Sequence, residues 1–287
     1  MTQLVIRNLK IFFKDKTAVF FSLLSVLIVV GLYFLFFGAQ MAESFYAQGG
    51  GDFSRLAVAG LFMGGSIAVA TLSTALSGLQ QLVTDRENIA KDLTVSPLSQ
   101  SKIALSYIIS SALISLMLSG ALLVIVIVYL AIRGSGFIGM VAILQLLFTT
   151  ALSVVAATAF MYFVILFIKS YNSFSSFTGI MSAGSGFIMG VYVFIGNLAA
   201  PIQWVIRLFP MSHSAVMFRQ ILADPVLYNM FYGNPELLEE MRLLFGTTFQ
   251  FGGYQSGFWF SAGILALTAV VFFGASLLVL NQRKNLA

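Results

Sequence analysis

Long apolar blocks recur along this chain, and each is about as long as a helix that crosses the hydrocarbon core of a bilayer, roughly 20 residues. Hydrophobic residues make up 59% of the 287 positions, whereas charged residues make up only 9%. Soluble domains carry about 25% charged residues, so this composition excludes an ordinary soluble fold. The blocks predict an all-α polytopic membrane protein.

Six transmembrane helices are expected within a single transmembrane domain that covers residues 1–287. They lie at about 18–38, 56–82, 103–132, 137–168, 174–196 and 258–280. With the N-terminus inside, ten Lys and Arg residues fall on the inner side and five on the outer side. We therefore expect both termini to be cytoplasmic. The absence of cysteine is compatible with a bacterial cytoplasmic membrane.

Residues 1–16 precede the first span and predict an interfacial amphipathic helix. One helical face is apolar and consists of Val5, Leu9, Phe12 and Phe13. Another face is basic and consists of Arg7, Lys10 and Lys14. We expect the apolar face to lie in lipid and the basic face to anchor the helix at the headgroups. A signal peptide is the alternative, but the apolar run that follows is too long for one.

The longest outer segment, residues 197–257, contains two apolar stretches that are too short to span, "IQWVIRLF" and "MSHSAVMFRQILA". They predict short helices that re-enter the outer leaflet or cover the bundle. His213, the only histidine, has no local partner for a catalytic or metal site, and we expect it to be solvated or interfacial. Asn234 and Pro235 predict the start of a helix with an acidic, solvated face.

Small and hydroxyl residues stand out within the spans. Gly60, Gly64 and Gly65 give the second span a surface that permits close approach of another helix or a substrate. Hydroxyl side chains can bond back to their own helix, or together line a mildly polar substrate path. The members of this set are Thr71, Ser73, Thr74, Ser77, Thr149, Thr150, Ser182 and Ser185.

No charged residue or histidine lies clearly in the middle of any predicted span. Proton- and ion-coupled carriers usually need such groups as relays or ligands, and a membrane-embedded enzyme needs an acid, a base or a metal cluster. The spans therefore favour a hydrophobic or amphipathic cargo. We expect no metal site and no catalytic residue in this chain.

A charged stretch separates the second and third spans, "VTDRENIAKDLTVSPLSQSK". Thr84 and Glu87 have capping-box spacing, which predicts the start of a short helix at Thr84. Ser96 and Pro97 predict its end, because proline disfavours the α conformation in the preceding residue. We interpret residues 84–99 as a stiff docking element on the cytoplasmic side.

ATP binding by this chain is not expected. "LSGLQ" at 76–80 is similar to an ABC ATPase signature but lies inside a span. A phosphate-binding loop needs a lysine directly after a glycine, and no lysine here follows one. If ATP drives this protein, a partner chain must hold the ATP and magnesium.

The order of these segments resembles the permease subunit of type-2 ABC transporters across essentially the whole chain. The matching features are Asp85-Arg86-Glu87 followed by "SPLS", and Pro210 followed by Arg219 before the last span. The resemblance implies a basic elbow helix at 1–16, a coupling helix at 84–99, and re-entrant helices before the sixth span. This sequence has Asn88 near the place where the family often has a glycine.

The same resemblance implies an exporter that works as a permease pair, with a second copy or a homologous permease, bound to ABC ATPase chains. The ATPase-docking residues that it implies are Asp85, Arg86, Glu87, Asn88, Lys91 and Asp92. The cargo would be a drug, antibiotic, peptide or lipid. We expect membrane lipid and no nucleic acid as further partners.

Two alternatives to this function remain open from the sequence. One is a permease that exports lipid-linked polysaccharide, although the long outer segment ranks it lower. The other is a membrane scaffold or sensor that transports nothing and needs no ATPase. Co-purification with an ATPase chain would separate the last alternative from both transporters.

Overall fold

The computed structural model describes residues 1–33, 35, 38–45, 54–89, 99–132 and 139–285. Within these residues the chain is almost entirely helical, with one small β-hairpin. The elements in chain order are α1 (Thr2–Lys14), α2 (Lys16–Leu32), α3 (Gly38–Phe45), α4 (Ser54–Asn88), α5 (Gln100–Ile132), α6 (Met140–Ile165), α7 (Tyr171–Ile188), α8 (Ala200–Leu208), α9 (Ser212–Leu222), α10 (Asp224–Met230), α11 (Pro235–Phe245), β1 (Gln250–Phe251), β2 (Tyr254–Gln255) and α12 (Phe258–Asn285).

Four helices of the described part, α4, α5, α6 and α12, are long and apolar enough to cross a bilayer. They coincide with four of the predicted spans, which confirms an all-α polytopic membrane protein. The first and fifth predicted spans correspond to α2 and α7. The described α2 has 17 residues, and α7 has 18 residues rich in serine and glycine. The count of six spans therefore stays a prediction.

Helix α4 occupies the centre of the bundle. In its most apolar stretch 94% of the residues are buried within the protein, against 17% in the corresponding stretch of α12. It packs against α2, α5, α6, α7 and α9, whereas α12 packs mainly against α6 and α9. Helix α4 is therefore the scaffold of the fold, and α12 presents most of its apolar surface outward.

Glycines on α4 set how closely the surrounding helices approach it. A Cβ atom at Gly60 would lie 2.6 Å from the main-chain oxygen of Leu222 in α9. A Cβ atom at Gly78 would lie 2.7 Å from the Cα atom of Ser111 in α5. The predicted close approach of another helix to the Gly60 region is thus confirmed, since α9 lies there.

The segment between α7 and α12 covers one end of the bundle with short helices. The two apolar stretches predicted to be short helices are confirmed as α8 and α9. Every residue from Met211 to Arg219 is buried, so α9 is inserted into the protein. Helix α11 begins as expected, because the side chain of Asn234 accepts a hydrogen bond of 3.1 Å from the Leu237 amide.

The expected helix start at Thr84 is wrong. Helix α4 continues without a break to Asn88, and the Thr84 hydroxyl donates a hydrogen bond of 3.2 Å to the Gln80 carbonyl within that helix. Capping-box spacing can occur inside a helix, where the hydroxyl finds an acceptor one turn back. The predicted end of the segment, at Ser96 and Pro97, lies outside the described residues.

Replacing Gly60 by alanine is expected to lower the free energy of unfolding by about 2 kcal/mol, because the new Cβ atom collides with main-chain atoms of α9. Thermal unfolding in detergent measures the change. Gly120 of α5 is the matched control, since a Cβ atom there meets nothing within 4 Å. Equal stability of Gly60→Ala and Gly120→Ala would contradict this packing.

Candidate functional site

A cleft lies between α2, α4 and α7, with a cavity volume of about 780 Å³. This size suits a drug-sized molecule. Apolar side chains form much of its wall, and polar ones are spaced among them. The polar lining residues are Asp15, Thr17, Ser22, Ser73, Ser77, Gln80, Thr178, Ser182 and Tyr192.

Two residues of the cleft wall carry hydroxyl groups that the described residues leave unsatisfied. The Oγ atom of Ser73 and the Oγ1 atom of Thr178 are buried, and neither has a hydrogen-bond partner among the described residues. Buried hydroxyls are nearly always satisfied by protein or water, so this pair stands out. The apolar wall and the polar lining residues together would suit a mostly hydrophobic molecule that carries a few polar groups.

Only part of the predicted hydroxyl path lines this cleft. Ser73, Ser77 and Ser182 lie in its wall. Ser185 is buried beside it and donates a hydrogen bond to the Ser182 carbonyl. Thr149 and Thr150 are buried on α6 and are not among the cleft-lining residues.

Thr71 and Thr74 face α5 instead of the cleft. The Oγ1 atom of Thr74 lies 2.8 Å from the Oγ atom of Ser115, and Ser115 donates a hydrogen bond of 3.1 Å to the Thr71 carbonyl. Ser111 donates a further bond of 2.8 Å to the Ala75 carbonyl. These contacts join α4 and α5 through the Thr74 hydroxyl and the Thr71 carbonyl, whereas the Thr71 hydroxyl donates a hydrogen bond of 2.8 Å to the Ala68 carbonyl of its own helix.

Sequence reasoning missed Gln80 and Thr178 as lining residues. Ser73, Ser77 and Gln80 are spaced i, i+4 and i+7, which places them on one face of α4. Thr178 and Ser182 have the same i, i+4 relation on α7. Helical spacing could therefore have separated the cleft-facing hydroxyls from Thr71 and Thr74, which lie on another face.

Arg219 ties α4 to the end of α7. Its Nη2 atom donates hydrogen bonds of 2.6 and 2.8 Å to the carbonyls of Met189 and Gly190, and its Nε atom donates one of 3.3 Å to the Leu61 carbonyl. The side chain is completely buried, and burial lowers the pKa of Arg219 to about 10. The guanidinium therefore remains charged at neutral pH and holds both helices through carbonyl dipoles.

The C-terminal end of α4 is bound to α1 and α5 through Asp85. The Asp85 carboxylate accepts hydrogen bonds of 2.7 and 3.1 Å from Arg7, and one of 2.6 Å from the Tyr107 hydroxyl. Gln81 donates another of 2.7 Å. Asp85 is only 4% exposed. The hydrogen bond to Asp85 raises the pKa of Arg7.

These contacts correct two expectations about α1. Arg7 was expected to face headgroups, but it forms an ion pair with Asp85, because a buried carboxylate needs a cation. Phe12 was expected to lie in lipid, but it packs on Ile114 and Leu118 of α5. Lys10 and Lys14 are exposed, so they remain predicted headgroup anchors.

The expected ATPase-docking residues fall into three groups. Asp85 is buried, and its oxygens are used within the chain. Arg86 and Glu87 bind the turn between α6 and α7, as described below, and the Glu87 side chain and Asn88 are exposed. Lys91 and Asp92 lie outside the described residues. Docking at this helix end stays a prediction.

A family model described as "ABC-2 family transporter protein" matches residues 48–278, which is well over half of the chain. The chain belongs to the ABC-2 family of transporter proteins. It is a multi-pass membrane permease of an ABC transporter, and family membership implies association with ABC ATPase chains. Comparison with curated proteins gives no match. The matched range of the permease includes α4 and α7 of the cleft, whereas α1 and α2 precede it.

His213 of the permease is buried, contrary to expectation. It is 1% exposed and packed among Phe249, Phe251 and Phe260. Its Nε2 atom lies 3.1 Å from the Arg207 carbonyl, and Nδ1 lies 3.2 Å from the Ser261 hydroxyl. Burial lowers the pKa of His213 to about 4, so the ring is neutral at pH 7.

The permease is expected to lose stability when the pH falls from about 6.5 to about 4. His213 in the unfolded chain binds a proton near pH 6.5, whereas the folded protein resists protonation until about 4. The free energy of unfolding should be about 2 kcal/mol lower at pH 5 than at pH 7.5 from this group alone. Thermal unfolding of wild type and His213→Gln over this range isolates it. If the free energy of unfolding depends on pH in the same way in wild type and in His213→Gln, a buried neutral His213 ring is refuted.

Replacing Asp85 by asparagine should lower the free energy of unfolding by about 2 kcal/mol, because Arg7 and Tyr107 lose a charged acceptor. Glu240→Gln, a change of equal chemistry at an exposed position, should leave the free energy of unfolding within about 0.5 kcal/mol. Thermal unfolding in detergent compares the two. An equally small effect at Asp85 would show that this network does not stabilise the fold.

Proposed function

We propose that this chain is the permease subunit of an ATP-driven exporter that moves hydrophobic or amphipathic molecules out of the cell. The candidate cargoes are drugs, antibiotics, peptides and lipids. The cleft between α2, α4 and α7 carries the proposal, because it combines a drug-sized volume with an apolar wall and several polar lining residues. Such a surface suits a molecule that partitions into lipid and carries a few polar groups.

ATP and magnesium belong, in this proposal, to a separate ABC ATPase chain. Family membership supports such a partner. The contact would include the exposed Asn88 at the cytoplasmic end of α4, and Lys91 and Asp92 beyond it.

A second permease is proposed to cover the exposed face of α7. That face carries Asn172, Ser175 and Ser176, all exposed. Exposed residues of α12 are apolar instead, as Val270 and others show. Polar side chains of membrane helices usually face other helices or water, so α7 is better suited to a partner than to lipid. The partner is a second copy or a homologous permease.

In the proposed arrangement, α2 and α7 complete six spans, and the protein lies in a bacterial cytoplasmic membrane with both termini inside. The excess of basic residues near the inner span ends supports this orientation. Export, as opposed to uptake, follows the resemblance of the whole chain to type-2 ABC exporters.

The test is reconstitution of the permease with the ABC ATPase that co-purifies with it, followed by measurement of cargo-stimulated ATP hydrolysis and transport in liposomes. Amphipathic drugs, peptides and lipids would be compared as cargo. We expect stimulation by at least one amphipathic class. A permease that retains no ATPase would favour the scaffold, and stimulation by lipid-linked polysaccharide alone would favour the polysaccharide exporter.

Ser182→Phe should lower cargo-stimulated ATP hydrolysis about tenfold, because an aromatic ring fills the cleft and a loss of about 1.4 kcal/mol in binding is a factor of ten. Basal hydrolysis should remain. Val270→Phe adds similar bulk on the exposed face of α12 and is the matched control. Equal stimulation in both variants would place the cargo path elsewhere.

A further inference from the structure

Three side chains near the cytoplasmic end of α4 bind the turn between α6 and α7. The Arg86 Nη1 atom donates hydrogen bonds of 2.9 Å to the Ile168 carbonyl and 3.5 Å to the Ile165 carbonyl. The Glu87 carboxylate accepts a hydrogen bond of 2.6 Å from the Tyr171 amide. Gln80 donates one of 2.9 Å to the Tyr171 hydroxyl.

These contacts match the electrostatics of the two helix ends that they join. Helix α6 ends at Ile165, where unpaired carbonyls favour a cation, and Arg86 supplies it. Helix α7 begins at Tyr171, where free amides favour an anion, and Glu87 supplies it. Adjacent residues of one helix thus bind the end of α6 and the start of α7.

The same end of α4 is also held on its other side. Asp85 is bound by Arg7 of α1 and Tyr107 of α5. A displacement of this helix end would therefore strain or break the partly buried Arg7–Asp85 ion pair or the contacts to the α6–α7 turn. Helix α7, which forms one wall of the cleft, would move with it.

We propose that Arg86 and Glu87 form a joint that carries movement of the cytoplasmic end of α4 to α7, and so reshapes the cleft. This inference rests on the proposed function, in which an ATPase moves that helix end. It assigns Arg86 and Glu87 a positioning role within the permease instead of the ATPase contact that the family resemblance implies.

Two substitutions of Glu87 separate a joint from an ATPase contact. The joint needs a hydrogen-bond acceptor at the α7 N-terminus, which glutamine retains and alanine removes. A charge contact with the ATPase is lost in both. We therefore expect Glu87→Ala to lose much more of the cargo stimulation of ATP hydrolysis than Glu87→Gln, while both variants still retain the ATPase.

The experiment uses the reconstituted permease–ATPase complex and measures ATPase retention, basal ATP hydrolysis and cargo-stimulated ATP hydrolysis. For Glu87→Ala we expect full retention, unchanged basal hydrolysis and a loss of stimulation of about five- to tenfold. Glu87→Gln should lose about twofold or less. Lys102→Ala, at an exposed position near the start of α5 with no proposed ATPase contact, is the control for nonspecific change.

Hydrogen–deuterium exchange gives a readout besides activity. The Tyr171 amide and the first turn of α7 should exchange faster in Glu87→Ala than in wild type, because that amide loses its acceptor. Exchange near Asp85 and Tyr107 should not change, which distinguishes a broken joint from general loosening of the fold.

The outcomes are distinct. Normal stimulation in Glu87→Ala, with a functional wild-type complex, would overturn the joint and leave the proposed function intact. Loss of ATPase retention in both Glu87 variants would make Glu87 a docking residue and also overturn the joint. Failure of the wild-type permease to retain any ATPase would overturn the proposed function and the joint together.

Discussion

Close packing around α4 is the constraint on which the rest of the structure depends. Glycines let α9 and α5 approach this helix almost backbone to backbone, as at Gly60 and Gly78. Apolar burial between helices contributes little in lipid, so contact area and interhelical hydrogen bonds decide which helices associate. Helix α4 supplies both, because small residues and hydroxyls alternate along it. Its central position follows from that composition.

Polar side chains connect α4 to α7 near both ends of their interface. Between those ends, two hydroxyl groups are left without a hydrogen-bond partner among the described residues. Arg219 binds carbonyls of both helices at one end, and Gln80 and Glu87 bind Tyr171 at the other. Between these contacts, Ser73 and Thr178 have no partner among the described residues. The cleft is therefore a gap between two fastened ends, with α2 as its third wall.

Much of the architecture could be predicted because it depends on local pattern. Apolar length predicted the helices that became α4, α5, α6 and α12, and Asn234 with Pro235 predicted the start of α11. The site was predicted only in part. Ser73, Ser77 and Ser182 were identified as hydroxyls in apolar helices, but the sequence does not say which face of α4 meets the cleft and which meets α5, where Ser115 binds the Thr71 carbonyl.

Pairings between distant segments account for the errors. Arg7 lies 78 positions before Asp85, and no local spacing connects the two residues. Thr84 looked like a helix cap because Glu87 follows it at capping-box spacing, yet contacts with α1, α5 and the α6–α7 turn surround the charged residues after it. His213 looked solvated because no acidic neighbour stands near it in sequence, although an aromatic shell buries it.

The sequence by itself determined that this protein is an all-α membrane protein, because apolar length acts locally along the chain, and the order of its segments resembled the permease of a type-2 ABC transporter. The tertiary structure decided which hydroxyls face a cleft and which bind another helix. It also decided that charges expected at a water-exposed surface bind helix ends within the protein. Those outcomes depend on burial, since a charge or a hydroxyl removed from water must find a partner, and that partner can lie anywhere in the chain.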